Sequence, residues 1–368
     1  MRLRQLTLRP YRNLKETELC LDGNAILIVA DNGQGKSNIL EAISYLSIGK
    51  SIRGSRDQEI IPHGGDFFDI MADWRDGDRD RELRVFYGTT EGKRGFVDGV
   101  ALGRVSEVVS QFQSVHFAPE DVALVLRFGP QRRRLLDILV SQSDVNYLQG
   151  LQRFQRVLTQ RNHYLRGCRG RGPVPHQTDE IDVWDGQLAR SGGMIRRARI
   201  QALTELVTHV EEYYRIFCDG AERAGMVYRG TPIGAGTQVP SDEESTDELR
   251  GELAAARHQE VRVGYTCKGP HRDSFGFQLD EVAAESFGSQ GQLKSLLLAW
   301  KMAELRFLEA RSGQLPVLLL DDVFSELDSR RTEAVLQSVD ELDQVVFTAP
   351  KDPGGGLPSG FQQISLAN

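Results

Sequence analysis

Period-two alternation opens the chain: residues 2 to 8 read Arg-Leu-Arg-Gln-Leu-Thr-Leu and residues 17 to 22 read Thr-Glu-Leu-Cys-Leu-Asp. Each is the pattern of a half-buried strand, and the polar stretch Tyr11-Arg12-Asn13-Leu14 makes a corner between them. An unbroken apolar run, Ala25 to Val29, predicts a buried strand. Beyond it, Asn38 to Leu46 carries Ile39, Leu40, Ile43 and Leu46 at helical spacing, so a helix with a buried face follows. Strand-like pieces recur around Phe67 to Trp74, Arg81 to Tyr87 and Gly95 to Val100, with Asp76-Gly77 and Asp98-Gly99 suited to hairpin turns. These predict an antiparallel sheet flanking the first elements. Ser114 to Phe117 is a further short strand, ended by Pro119.

The period changes at Pro119. Gly129-Pro130 begins a helix with Arg132, Arg133 and Arg134 on its polar side and Leu135, Leu136, Ile138 and Leu139 on its apolar side. A second helical stripe runs from about Asn146 to Leu165, and Gly167 to Pro175 reads as a loop. A third helical region spans about Ile181 to Phe217, with a break expected near Gly192-Gly193, and Thr231 to Ser245 is expected to be a mobile loop. Alternating α and β character returns at Val261, with a strand at Phe275 to Leu279 and a long amphipathic helix through Leu293, Leu296, Leu297, Trp300, Ala303 and Phe307. Buried strands follow at Pro316 to Leu320 and Val345 to Thr348. The organisation expected is therefore one α/β domain made of 1–118 and 261–368, interrupted by a mainly helical insertion at 119–260.

Composition adds limits. With 368 residues, 40% hydrophobic and 26% charged, the chain is that of an ordinary globular protein able to bury a large core. No run of about eighteen apolar residues occurs, and Met-Arg-Leu-Arg-Gln-Leu is not followed by an apolar leader, so a cytoplasmic protein without a membrane span is expected. Cys20, Cys168, Cys218 and Cys267 form no CxxC pair, which argues against a zinc or disulfide framework. A net charge of −7 speaks against a dominant nucleic-acid surface, but the charge is uneven. Between Val122 and Arg171 ten arginines, including Arg127, Arg153, Arg156, Arg161, Arg166, Arg169 and Arg171, face only Asp137 and Asp144; between Pro240 and Glu260 seven carboxylates face Arg250 and Arg257.

The chemistry is carried by Ala30-Asp31-Asn32-Gly33-Gln34-Gly35-Lys36-Ser37, lying between the buried strand and Asn38. A strand ending in a glycine-containing turn that opens a helix aims backbone N–H groups at one point, where the helix dipole already favours an anion. Lys36 then reaches the β- and γ-phosphates of a nucleotide and Ser37 holds Mg²⁺. The GxxxxGK[ST] pattern is met except at its first glycine, which is Ala30, and alanine cannot adopt a glycine-only φ without cost. Leu320 is followed by Asp321 and Asp322; in a doubly wound sheet the strand ends gather, so these carboxylates belong beside the loop although 285 positions separate Asp321 from Lys36. Asp321 is the metal-side carboxylate and Asp322 is placed to orient an attacking water. Ser289-Gln290-Gly291-Gln292 is a capping box that also presents N–H groups and a hydroxyl to an anion.

In this order the motifs resemble the ABC-type ATPase heads and, within them, the RecF family of DNA repair proteins. The resemblance extends over Tyr11-Arg12-Asn13-Leu14, the phosphate loop, Pro119-Glu120-Asp121, Arg132 to Asp137, Gln160-Arg161-Asn162, Val183-Trp184-Asp185, Gly269-Pro270-His271-Arg272-Asp273, Ser289 to Gln292 and Leu320 to Asp328. It implies a head-to-tail, ATP-dependent homodimer in which Ser289 to Gln292 of one subunit closes over the γ-phosphate held by Lys36 of the other, with Arg12 and Asn13 approaching the nucleotide and Asp328 at the seam. It also implies binding of double-stranded or gapped DNA, for which Arg53, Arg56, Arg132, Arg133 and Arg134 are the candidates, and a role with RecR and RecO in placing RecA. Two departures stand out: Ala30 in the loop, and Phe347-Thr348-Ala349-Pro350 where many heads have a histidine. Asp322 is shorter than the glutamate of many such heads and holds its water less closely, so hydrolysis is expected to be slow. Gln113 is the candidate for a Q-loop glutamine. The rival readings are an ATP-binding DNA clamp without significant turnover and a transporter-type nucleotide-binding subunit; the helical insertion and the arginine block disfavour the latter.

Overall fold

A computed structural model describes residues 1–109, 111–118, 122, 128–168, 177–218, 220, 222–326, 329–349 and 361–366. Pro119-Glu120-Asp121, Arg127, Arg169, Arg171, Asp328, Pro350 and most of the stretch from Gly167 to Pro175 lie outside the described residues. The chain forms two units, one of Met1–Leu124, His209–Glu222 and Gly288–Asn368, the other of Val125–Thr208 and Arg223–Phe287.

The first unit holds two sheets. The antiparallel one is built from β1 (Arg2–Leu8), β2 (Thr17–Cys20), β4 (Phe67–Asp76), β5 (Arg79–Gly88), β6 (Gly92–Val97) and β7 (Val100–Ala101), in the order β2-β1-β4-β5-β6-β7. The other contains β3 (Ala25–Val29), β8 (Ser114–Phe117), β13 (Val317–Leu320), β14 (Val345–Ala349) and β15 (Gln362–Ser365), in the order β15-β3-β14-β13-β8. Every pairing in this sheet is parallel. Parallel strands covered on both faces read as continuous apolar runs, as Ile26-Leu27-Ile28 and Val317 to Leu320 do. Gln344, fully buried, ties the two sheets together: its Nε2 donates to the carbonyls of Leu3, Leu21 and Gly23, and its Oε1 accepts from Leu3 N.

Helix α1 (Lys36–Ile48) fills the space between the sheets, with Ile39, Leu40, Ile43 and Leu46 in one apolar cluster with Leu6, Leu8, Phe68, Ile70, Leu319 and Val346. The helix Gln290–Ser312, labelled α6 below, is capped at both ends by Ser289 and the left-handed Gly313.

The second unit contains α2 (Gly129–Ser143), α3 (Val145–Cys168), the first three-quarters of α4 (Gln177–Cys218) and α5 (Asp242–Val263). It also contains a four-stranded sheet in the order β10-β9-β11-β12, from β9 (Ala224–Tyr228), β10 (Thr231–Ile233), β11 (Phe275–Leu279) and β12 (Val282–Ala283). This sheet moves the expected boundary at 260 to 287: β11 pairs with β9 along its whole length, so residues 261–287 are knitted by backbone hydrogen bonds into the inserted unit. The stretch expected to be a loop from Thr231 to Ser245 instead holds β10 and the start of α5, whose N-terminus is a Ser241/Glu244 capping box. No break occurs at Gly192-Gly193. A Cβ on Gly193 would stand 2.7 Å from Thr246 N, and one on Gly192 2.4 Å from Leu249 Cδ2, so the two glycines let α5 approach an uninterrupted α4. Among the described residues no helix is long and apolar enough to cross a membrane.

Candidate nucleotide-binding site

The phosphate loop leaves the carboxyl end of β3, and the paired carboxylates leave the carboxyl end of β13. Strand β14 lies between those two and places Thr348 in register with Ile28. Parallel pairing alone thus closes the sequence gap between Lys36 and Asp321.

Gly35 caps α1 at φ 99, and a Cβ there would come within 2.5 Å of Leu14 Cδ2, so only glycine fits. Ala30 is absent from the positive-φ residues, and its methyl therefore strains nothing; the missing first glycine is no obstacle to the loop. Lys36 is 8% exposed and donates to the carbonyls of Ala30 (2.5 Å) and Asp31 (3.0 Å), which keeps the ammonium at the loop's mouth. Gln34 closes the turn through its Oε1, which accepts from Asp31 N. Asn32 and Gly33 are exposed and Ser37 is half-buried at the start of α1.

A relay of side chains supports the loop from one side. Arg53 NH1 donates to Asn38 Oδ1 (3.0 Å), Asn38 Nδ2 to Asn13 Oδ1 (2.7 Å), and Asn13 Nδ2 to the Gly33 carbonyl (2.8 Å). Arg53 NH2 also lies 3.8 Å from Asp321 Oδ2. Arg53, expected to face DNA, thus belongs to this cluster, while Arg56 stays exposed at the N-cap of the turn Asp57–Ile60. Arg12 forks onto Glu41, Nε to Oε2 at 2.5 Å and NH2 to Oε1 at 2.8 Å, and NH2 also donates to Ser55 Oγ. Burial works against the Arg12 charge, but the Glu41 pair more than offsets it and raises the guanidinium above its ordinary value. Glu41, fully buried one helical turn beyond Ser37, was missed from sequence; its signal was a lone charge inside the apolar stripe of α1.

On the other side, Asp321 is 3% exposed and its Oδ1 accepts from Thr348 Oγ1 at 2.6 Å. Thr348 Oγ1 in turn accepts from Asp322 N at 2.9 Å, and Asp322 sits at φ 45. A serine hydroxyl and a buried carboxylate with one oxygen outside that bond form a hard-oxygen donor set suited to Mg²⁺. Gln113 immediately precedes β8, at the amino edge of the parallel sheet, which excludes it as a Q-loop residue.

Ser289 caps α6 as expected: its Oγ accepts from Gln292 N and its N–H donates to Gln292 Oε1. Gln292 also bonds Glu222, which accepts from Tyr214 OH at 2.9 Å. Ser289 and Gln290 are exposed.

The arginine run needs correction. Three consecutive helical residues fan over about 200°, so Arg132, Arg133 and Arg134 cannot share one solvent face. Arg132 is 8% exposed, with Nε on the Phe275 carbonyl and NH2 3.4 Å from Glu285, and Arg133 NH1 donates to the Asp273 carbonyl. They brace the inserted unit. The exposed basic residues lie instead on α3, where Arg153, Arg156, His163 and Arg166 line one face and Arg161 points inward to Asp185 and Glu260. Gly269 to Asp273 is likewise bonded into the inserted unit, with Arg272 exposed. Gly269 takes φ 126, Pro270 O accepts from Arg199, and Asp273 accepts from Arg196 and Tyr228. His271 Nε2 donates to the Thr266 carbonyl (3.2 Å), and burial pushes the imidazole down to about 4.

A family model described as RecF/RecN/SMC N terminal domain matches residues 2–353. The chain is 34% identical over 369 residues to the DNA replication and repair protein RecF of Syntrophotalea carbinolica, covering 99% of this chain and 96% of the relative. It is 30% identical over 364 residues to the protein of that name from Ruminiclostridium cellulolyticum, covering 98% and 95%. A solved structure of the recombination mediator protein RecF in the RecFOR pathway, designated RecF-ATPrS, superposes with a TM-score of 0.87 at 28% identity, covering 99% of this chain and 96% of the other. The Smc head domain derived from Pyrococcus furiosus, at 14% identity and a TM-score of 0.52, shares the fold. Parallel sheet, phosphate loop and paired strand-end carboxylates define an ABC-type ATPase head of the RecF/RecN/SMC class. Within that class, the chain belongs to the RecF family.

Proposed function

We propose that this is an ATP-controlled DNA-binding protein of replication and repair, in which ATP binding closes a homodimer on duplex or gapped DNA and slow hydrolysis releases it. The observation that carries the reading is the gathering of Lys36, the Asn13-braced loop and the Asp321–Thr348–Asp322 cluster at the carboxyl edge of one parallel sheet. Loop N–H groups and Lys36 would hold the phosphates, and Ser37 and Asp321 would hold Mg²⁺, which would supply charge neutralisation at the transferred phosphoryl group. Asp322 orients the attacking water. The helix start at Ser289–Gln292, with Ser289 and Gln290 exposed, docks on the nucleotide of a second copy. ATP binding is what the RecF-ATP structure's name says of its own protein, and the loop geometry supports it in this chain. RecR, RecO and the loading of RecA enter by family membership alone.

DNA contact is assigned to α3 in place of Arg132–Arg134. Its 24 residues contain no Asp or Glu, in a chain of net charge −7. A groove of about 590 Å³ along it is lined by Gln152, Gln155, Arg156, Thr159 and Gln160. The face offers cations and amides without an apolar anchor, which suits a phosphate backbone and not a protein partner, whose interface core is depleted of charge.

The test is light scattering and ATP turnover with and without duplex DNA. Wild type should dimerise with ATP and Lys36→Arg should do so weakly. A wild type that stays monomeric at saturating ATP overturns the clamp.

A further inference from the structure

We propose that Thr348 is a positioning residue for ATP hydrolysis, acting from the penultimate residue of β14 on the two carboxylate residues of the site. The proposal rests on the ATPase reading above.

Thr348 is fully buried, and its one hydroxyl makes two bonds to the two carboxylate residues of the site. The proton goes to Asp321 Oδ1 (2.6 Å), so the contact with the Asp322 N–H (2.9 Å) must use an oxygen lone pair. Each bond fixes something the reaction needs. The first selects which oxygen of Asp321 is tied down and leaves Oδ2, the oxygen on the Arg53 side, as the one available to a metal's hydration shell. The second anchors the peptide from which Asp322 departs. Asp322 is at φ 45, a left-handed backbone that Asp tolerates but does not prefer, and such a conformation persists only where its surroundings hold it. The Thr348 hydroxyl holds it through the Asp322 N–H. A shorter carboxylate than glutamate has less reach to correct a misdirected backbone, so Asp322 depends on that anchor more than a glutamate would.

Strand order makes this arrangement possible. β14 is hydrogen-bonded to β13 on one side and β3 on the other, so its last residues lie between the carboxylates and the phosphate loop. A side chain at position 348 can therefore link Asp321 to Asp322 without leaving the sheet. Valine at this position keeps the volume and β-branching of threonine and removes both bonds; serine keeps both bonds and removes a methyl.

Steady-state ATP turnover and binding of a fluorescent ATP analogue, on the full chain with duplex DNA, separate the roles. For Thr348→Val, kcat should fall at least tenfold while analogue affinity and KM stay within threefold. Its ATP-bound dimer should correspondingly outlive that of wild type in light scattering. Thr348→Ser should remain within threefold of wild type in all of these. Should Thr348→Val not fold, Thr348→Cys gives the same reading, because a thiol keeps the size and is only a weak donor. A Val or Cys variant with kcat within twofold of wild type overturns the proposal, as does a Ser variant that falls as far as Val, or a loss confined to KM and affinity. Wild type without turnover overturns the ATPase reading and this proposal together, whereas wild-type turnover with an unaffected Val variant overturns this proposal alone.

Discussion

Replacing Asp273 by alanine removes the acceptor for Arg196 Nε (2.8 Å), Arg196 NH2 (2.9 Å) and Tyr228 OH (2.8 Å). Arg196 is 2% exposed and Tyr228 is likewise buried, so neither regains water. Removing one partner of a buried pair costs roughly 3–5 kcal/mol. Arg196 keeps Glu252 at 2.8 Å, which places the expected loss at the lower end, about 3 kcal/mol. Burial pushes the Asp273 carboxyl up, but the Arg196 bonds, the Tyr228 bond and the Arg229 charge more than reverse this and hold it below the ordinary carboxylate range. A carboxyl depressed in the folded state contributes fully above its unfolded value and loses that contribution as pH falls through the folded one. The difference between wild type and Asp273→Asn should therefore shrink in acid. Hydrogen exchange of α5 and α2 amides in graded urea reads the loss, and ATP-analogue binding at the loop should stay within twofold. Exchange within about 0.5 kcal/mol of wild type, together with collapsed ATP turnover, would refute a structural role for Gly269–Asp273 and make the segment functional.

Asp322→Asn should bind ATP, dimerise and fail to release, giving a long-lived dimer in light scattering; a variant that is monomeric with ATP contradicts the clamp. Arg153→Ala and Arg156→Ala should each flatten the log–log salt dependence of duplex binding by about 0.9 per lost phosphate contact, while Arg132→Ala should lower stability instead; filter binding from low to high salt distinguishes them. His271, held neutral by burial and faced by Arg272, Asp273 and Arg133, is pushed down to about 4, whereas the unfolded chain protonates near 6.5. The unfolded state therefore takes up the proton first, and stability should fall by about 3 kcal/mol as pH drops from neutral to about 4. His271→Gln should remove that part of the slope in urea titrations of the inserted unit.

The legible part of the fold was whatever one chain segment announces by itself. Ala25–Val29 and Val317–Leu320 read as buried strands because both faces are covered, and α1 and α6 carried their own caps. β15, by contrast, is Gln-Gln-Ile-Ser, and only its pairing with β3 makes it a strand. α5 was hidden by its acidity although Ser241 and Glu244 signalled its start, and Gly192-Gly193 read as a break because nothing local tells a breaker from a contact glycine. The boundary at 287 depended on β11 finding β9 across some fifty residues of chain.

The site divides along the same line. Lys36, Ser37, Asp321 and Asp322 sit in contiguous motifs, and the resemblance they carried reached the right family. Arg53 and Thr348 do not: each acquires its place from a neighbour distant in sequence, Arg53 from Asp321 and Thr348 from the strand order β3-β14-β13. Arg132 failed in the opposite direction, because a run of like charges suggests a surface while helical geometry sends each member elsewhere. The departures from the motif then have unequal weight. Ala30 costs nothing, since its φ is not positive, whereas the left-handed Asp322 has its N–H held by the Thr348 hydroxyl. If turnover is slow because Asp322 is poorly held, the valine variant at 348 should slow it further while the serine variant leaves it unchanged; if it is slow because of the phosphate loop, neither should change it.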